Sequence, residues 1–213
     1  KKMVRSLILS QLHTLEVSGR NLVLENVIVQ YVLKTLQRDM ELLDRLGTNS
    51  FRIIGLENEF RMTFDGFRFI GYIDRMDSFL PGEVRIVDYK TGKVENNDVN
   101  ITDDNAVRIA EALFGDDNKK RPKIAFQLFL YDYLAAGSPV TEDKVVVNSI
   151  YQPARLFTEE IRNVPMSRVF NREVEERLHG LLSDIKDPSR PWKRTDDKDT
   201  CSWCDFKMIC GRQ

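Results

Sequence analysis

Three cysteines and two histidines are all that the 213-residue chain holds of the side chains most used for disulfides, soft-metal sites and nucleophile–base pairs. Cys201, Cys204 and Cys210 fall within the last 13 residues. An odd, clustered number makes a poor disulfide framework and hints at metal or cluster binding. His13 and His179 each sit in an amphipathic helical context, where a lone histidine is more often a surface or packing residue than a ligand. Excess charge of one sign is also missing: 32 Lys and Arg stand against 33 Asp and Glu, a net charge of −1. The chain therefore has no global basic field, and any nucleic-acid contact must come from local patches. It lacks an apolar segment near membrane-spanning length and the hydrophobic core of a signal peptide. There is no internal repeat and no low-complexity tract. These absences, with the Lys-Lys-Met opening, lead to the expectation of a cytoplasmic piece of a longer protein without a membrane partner. What is present, 42% hydrophobic and 31% charged residues, suits a soluble globular protein able to bury a full core in one domain.

The periodicities divide that domain into N-terminal helices over residues 1–48, a core over 51–165, and a C-terminal helix with its cysteine tail over 167–213. Apolar spacing over residues 3–46 predicts two helices separated at Ser18-Gly19 and ended by Gly47, with Val27, Tyr31 and Leu33 among the core positions of the second. Residues 51–60 and 61–70 read as two strands joined near Asp65-Gly66, a pair favoured in tight hairpins. Helices are expected around AVRIAEALF, over 123–136 and over 167–186. KVVVNSIYQP reads as a buried strand, and RLFTEEIRNVPM as a further strand or loop.

The chain is organised around Gly71 to Gly92, GYIDRMDSFLPGEVRIVDYKTG. Two β-type runs flank Pro81-Gly82, the natural pattern of an antiparallel hairpin. A hairpin symmetric about Pro81 places Asp74 opposite Asp88, and Lys90 leaves the same face as Asp88. Carboxylates facing each other repel unless a cation lies between them. Hard oxygen ligands favour Mg²⁺ or Mn²⁺ in that role. A solvated Asp–Lys pair on a surface hairpin is the plainer reading, since exposed charge pairs are common. The apolar IVDYK run weighs against it. Glu57 and Glu59 alternate with apolar residues and face either water or this acidic site, Glu59 being the better candidate for an outer metal role. In helix 123–136, Gln127 and Tyr131 share a face, and a glutamine among apolar neighbours needs a hydrogen-bond partner that a charged site would supply. Lys119, Lys120, Arg121 and Lys123 form the densest basic cluster, readable as a solvated loop or as a phosphate-contacting, DNA-binding loop beside the site.

Taken together, GYIDRMD, IVDYKTG, QLFLYDYL and a terminal C-x2-C-x5-C resemble the PD-(D/E)XK nuclease superfamily, and more closely its RecB/AddB-type exonuclease branch, over about residues 50–213. One D-x-K carries little weight, but these four pieces have no packing reason to occur together. The resemblance implies an α/β (α+β) fold with a restriction-endonuclease-like core, a mixed central sheet holding an antiparallel meander and flanked by helices. It implies that Asp74 and Asp88 bind Mg²⁺ or Mn²⁺ with the backbone carbonyl of Tyr89, that Lys90 is the catalytic lysine, and that Gln127 and Tyr131 line the site. It further implies a DNA exonuclease acting on single-stranded ends, the nuclease end of a helicase–nuclease that processes DNA breaks with a motor partner. The branch carries a [4Fe–4S] cluster on four cysteines, of which Cys201, Cys204 and Cys210 match the last three. It also uses a histidine in a G-x3-H setting as a metal ligand. No such motif is present here, and His13 lacks the preceding glycine.

Two other functions fit parts of the pattern. One is a non-catalytic DNA-binding or scaffolding module on a nuclease fold, favoured by the missing histidine and opposed by the intact Asp74, Asp88 and Lys90. The other is a site-specific endonuclease, which shares the D-x-K core but neither the Q-x3-Y helix nor the cysteine tail.

Overall fold

The computed structural model describes residues 1–14, 16–115, 121–159, 161–191 and 195–211. Its centre is a five-stranded sheet of order β1-β2-β3-β4-β5. β1 (Arg52–Phe64) and β2 (Phe67–Ser78) form a long hairpin, and β3 (Glu83–Tyr89) returns beside β2. Asp65 and Gly66 make the β1–β2 turn with φ of 49° and 75°, the two positive values that a two-residue turn matched to strand twist requires. The segment 61–70 is thus the end of β1 and the start of β2, not a strand of its own. The meander has three strands where the sequence pattern suggested four, because the turn falls inside that segment.

β4 (Val145–Tyr151) pairs with β3 in parallel, and β5 (Arg162–Val164) closes the sheet antiparallel to β4. Parallel neighbours need a crossover connection. Here it consists of α3 (Asn96–Val99), α4 (Ala106–Phe114) and α5 (Lys123–Ala136). Leu128, Tyr131 and Ala135 of α5 are buried against Ile73, Met76, Val84 and Ile86 of the sheet. A second apolar cluster packs α4 and α5 against α6 (Arg168–Lys186), where Phe170, Val174 and Leu178 are buried. Ser167 caps α6 by accepting from the Phe170 amide, as an N-cap serine does.

Two N-terminal helices, α1 (Lys2–Leu12) and α2 (Arg20–Leu46), precede the sheet. Gly47 ends α2 in a left-handed conformation, φ 64°. Val27 and Leu33, expected in the core, are exposed, and Tyr31 is half-buried against Phe157. The buried positions of α2 are instead the charged Glu25 and Asp39. Helical periodicity reports an apolar face but not what covers it, and α2 meets the sheet through polar groups.

Asp39 is the centre of that contact. Its Oδ2 accepts from Arg75 Nη1 (2.8 Å) and its Oδ1 from the Tyr151 hydroxyl (2.7 Å). Arg85 grips Asp77 with two parallel bonds of 2.8 Å and donates to the Tyr151 hydroxyl at 2.9 Å. Burial alone would lower the proton affinity of Arg75. The hydrogen bond to Asp39 and the charge of Asp77 outweigh it and leave the guanidinium more basic than usual. Removing one member of such a network strands the others, which costs about 3–5 kcal/mol. Asp39→Ala is therefore expected to lower the urea unfolding free energy by about 3 kcal/mol or more. Leu33→Ser on the exposed face should change it by less than about 0.5 kcal/mol. Similar losses in the two variants would mean that the network does not anchor α2.

Candidate active site

The β2–β3 ladder pairs Arg75 with Val87, Met76 with Ile86 and Asp77 with Arg85. Continuing that register by one residue sets Asp74 against Asp88, where the sequence pattern expects it. Asp88 stands beside Ile150 of the parallel strand β4 and is only 2% exposed, whereas Asp74 is half-buried. The Asp74 Oδ2 accepts from the Tyr89 backbone amide at 2.8 Å. Beyond β3 the chain is pinned by the Lys90 amide donating to the Tyr151 carbonyl (2.8 Å), and Gln152 holds the Gly92 carbonyl (3.0 Å).

α5 supplies the opposite wall. Its first turn is fixed by Asp98, whose Oδ1 accepts from the Ile124 amide (3.0 Å), satisfying one of the donors a helix start leaves open. Four residues apart, Gln127 and Tyr131 reach down to the same oxygen of Asp88. The Gln127 Nε2 donates to Asp88 Oδ1 at 3.0 Å and the Tyr131 hydroxyl donates to it at 3.1 Å. Lys90 Nζ donates to that oxygen (3.2 Å) and to Gln127 Oε1 (2.5 Å). Gln127 also donates to the Tyr131 hydroxyl at 2.6 Å. Both ends of the glutamine are thus engaged, which answers why it stands on an apolar helix.

The other carboxylate oxygen of Asp88 differs. Lys90 Nζ lies 2.9 Å from Oδ2, an ion contact without hydrogen-bond alignment, and Oδ2 is buried with no hydrogen-bond partner. Burial raises the Asp88 carboxyl above the usual range; the Lys90 hydrogen bond and charge pull the other way, and the nearby Asp74 charge adds to the rise. Burial, then the Asp88 charge, also pushes the Tyr131 hydroxyl up, so Tyr131 remains a hydrogen-bond donor at neutral pH. An anionic oxygen buried without a partner is costly, and a hard cation would satisfy it. The oxygens of Asp74 and Asp88, with the Tyr89 carbonyl, fit Mg²⁺ or Mn²⁺ by donor type.

The remaining candidates that the structure describes take no part in the hydrogen bonds of this cluster. The Glu59 carboxylate is taken by the Tyr72 hydroxyl (2.7 Å) and Arg61 Nε (2.5 Å), which together hold it below the usual carboxylate range. Arg121 donates twice to the Gly115 carbonyl (3.1 and 2.6 Å), and Lys123 opens α5. Lys119 and Lys120 lie outside the described residues. Cys201 and Cys204 are half-buried and Cys210 is exposed. Among the described residues no three His, Cys, Asp or Glu side chains gather as a metal-ligand set. Cys201, Cys204 and Cys210 thus supply three of the four thiolates that a [4Fe–4S] cluster takes and do not gather in this structure, and Glu59 adds no third carboxylate. His179 contacts Asp65 and the Phe64 ring, a packing role.

Sequence reasoning passed over Asp39, Arg75, Arg85 and Tyr151, which brace the far face of the same strands. Arg75 also donates to the Tyr89 hydroxyl (3.3 Å). A signal was available in Arg85, a cation inside the apolar run EVRIV.

A family model described as the PD-(D/E)XK nuclease superfamily matches residues 10–211. No curated protein matches the chain. Among the described residues no helix is long and apolar enough to cross a membrane.

The raised Asp88 carboxyl has a stability consequence. Its contribution is fully present below the unfolded carboxylate range and is lost as pH rises through the folded value. In chelator, Asp88→Asn should therefore melt at or above the wild type, with a gap that opens between pH 4 and pH 8. A wild-type advantage that grows with pH would contradict the raised value.

Proposed function

Because the chain belongs to the PD-(D/E)XK nuclease superfamily, we propose that it is a metal-dependent DNA exonuclease domain acting on single-stranded ends. In this reading it serves a helicase–nuclease that processes DNA breaks in the cytoplasm. The observation that carries the proposal is the buried Asp88 Oδ2, left without a hydrogen-bond partner while Oδ1 accepts three. The Lys90 ammonium 2.9 Å away is the cation nearest that oxygen.

Asp74, Asp88 and the Tyr89 carbonyl would hold the Mg²⁺ or Mn²⁺. When bound, the cation neutralises charge on the phosphodiester and acidifies the attacking water. Lys90 stands at the lip of the site, its side chain 24% exposed beside the 2% exposed Asp88. There it can orient that water and counter the charge that builds on the phosphoryl oxygens. Gln127 fixes the ammonium through Oε1 and the Asp88 carboxylate through Nε2. The protein's contribution is thus the fixed placement of charge rather than a titrating base.

Wild-type protein with Mg²⁺ or Mn²⁺ should shorten a single-stranded oligonucleotide from an end and stop in chelator. Asp88→Ala and Lys90→Ala should each slow this by at least about a hundredfold. Mn²⁺ at a hundredfold excess over its Kd should stabilise the wild type by about 2.7 kcal/mol and leave Asp88→Ala unmoved. Cleavage that persists in chelator or in either variant would sink the mechanism.

A further inference from the structure

At the N-terminal end of α5 lies a second cleft of about 580 Å³, within the range of roughly 300–1,000 Å³ usual for ligand sites. One wall carries Lys93, Arg121 and Lys123, and the other is the short helix α7 (Lys198–Ser202) with Trp203 behind it. Trp203 is 91% exposed. An indole left in water contributes nothing to the core and presents a flat apolar face.

The cleft adjoins the candidate active site through both elements that build it. Lys123 precedes Gln127 by four residues, so the two share a face of α5 about 6 Å apart along its axis. Lys93 follows Lys90 by three residues. Arg121 is held by its bonds to the Gly115 carbonyl. Lys93 pairs with Glu95 at 2.6 Å, while the Lys123 ammonium has no ion pair among the described residues. The carboxylates of the cleft are arranged asymmetrically. Asp98 is spent on the Ile124 and Glu95 amides. Asp197 caps α7 by accepting from the Asp199 amide and the Thr200 hydroxyl, and Asp199 lies on the same α7 wall. A phosphate is therefore favoured against Arg121 and Lys123, which leaves the base side of a nucleotide facing Trp203.

Building on the nuclease reading, we propose that this cleft is a subsite for unpaired DNA. Trp203 stacks a base one or a few nucleotides from the one at Asp74 and Asp88, while Arg121 and Lys123 take its phosphate. Stacking needs an exposed base face, so the subsite selects single strands over duplex, and it tolerates any base because each has a π-face.

The test is fluorescence anisotropy with a labelled dT20 in chelator, which removes cleavage from the readout. Stacking worth about 1–3 kcal/mol per base predicts that Trp203→Ala binds about 5- to 150-fold more weakly. Trp203→Phe, which keeps a ring, should stay within about threefold of the wild type, and Lys123→Glu should weaken binding with a reduced salt dependence. Equal affinities of wild type and Trp203→Ala, or no dT20 binding by the wild type, overturn the subsite. A tryptophan-dependent preference for rU20 over dT20 overturns its assignment to DNA. Failure of the nuclease reading shows separately, as wild-type protein that leaves dT20 intact with Mn²⁺.

Discussion

Two carboxylates facing each other across neighbouring strands set the terms for the rest of this structure. Burial raises the cost of ionising Asp88, and the Asp74 charge adds to it. The fold answers on one side only. Three donors converge on a single oxygen of Asp88, while its twin has no hydrogen-bond partner and only the Lys90 ammonium 2.9 Å away. Asp77 differs, since Arg85 holds both of its oxygens.

The parallel pairing of β3 with β4 makes the convergence possible. Had β4 followed β3 as another hairpin strand, a short turn would have joined them and left the Asp88 face open. The crossover obliges the chain to leave the sheet and return, and α5 lies across the face where Asp88 emerges. Gln127 and Tyr131 are therefore placed by topology, and their spacing of one helical turn does the rest. Asp98 fixes the axial position of that helix through its first turn. A capping residue far from the chemistry in sequence thus sets the height of Gln127 over the carboxylate.

Much of this was legible in the residues. The Asp74–Asp88 register follows from a hairpin centred on Pro81, and the Gln127–Tyr131 face follows from helical spacing. The mixed sheet was an expectation of the family resemblance. What the sequence concealed depends on contacts between distant segments. Nothing local marks Asp39 as the partner of Arg75 and Tyr151. The apolar pattern of α2 pointed Val27 and Leu33 inward, when the helix docks by a charge. The Asp65-Gly66 turn was legible, but the strand bounds slipped because β1 runs on to Phe64 and β2 on to Ser78 without a local break. Glu59 alternated correctly but met Tyr72 and Arg61, a choice made by side-chain reach.

The Asp39 network also constrains the order in which the molecule comes together. Its partners lie 36 and 112 residues along the chain, and Tyr151 takes its place only once β4 has paired with β3. Loop-closure entropy must be met before so distant a contact gives any return. The docking of α2 therefore belongs late in folding, as a latch set on a finished sheet. Its release would unload Arg75 and Tyr151 behind the strands that carry Asp74 and Tyr89, so a helix remote from the chemistry governs how firmly those strands are held.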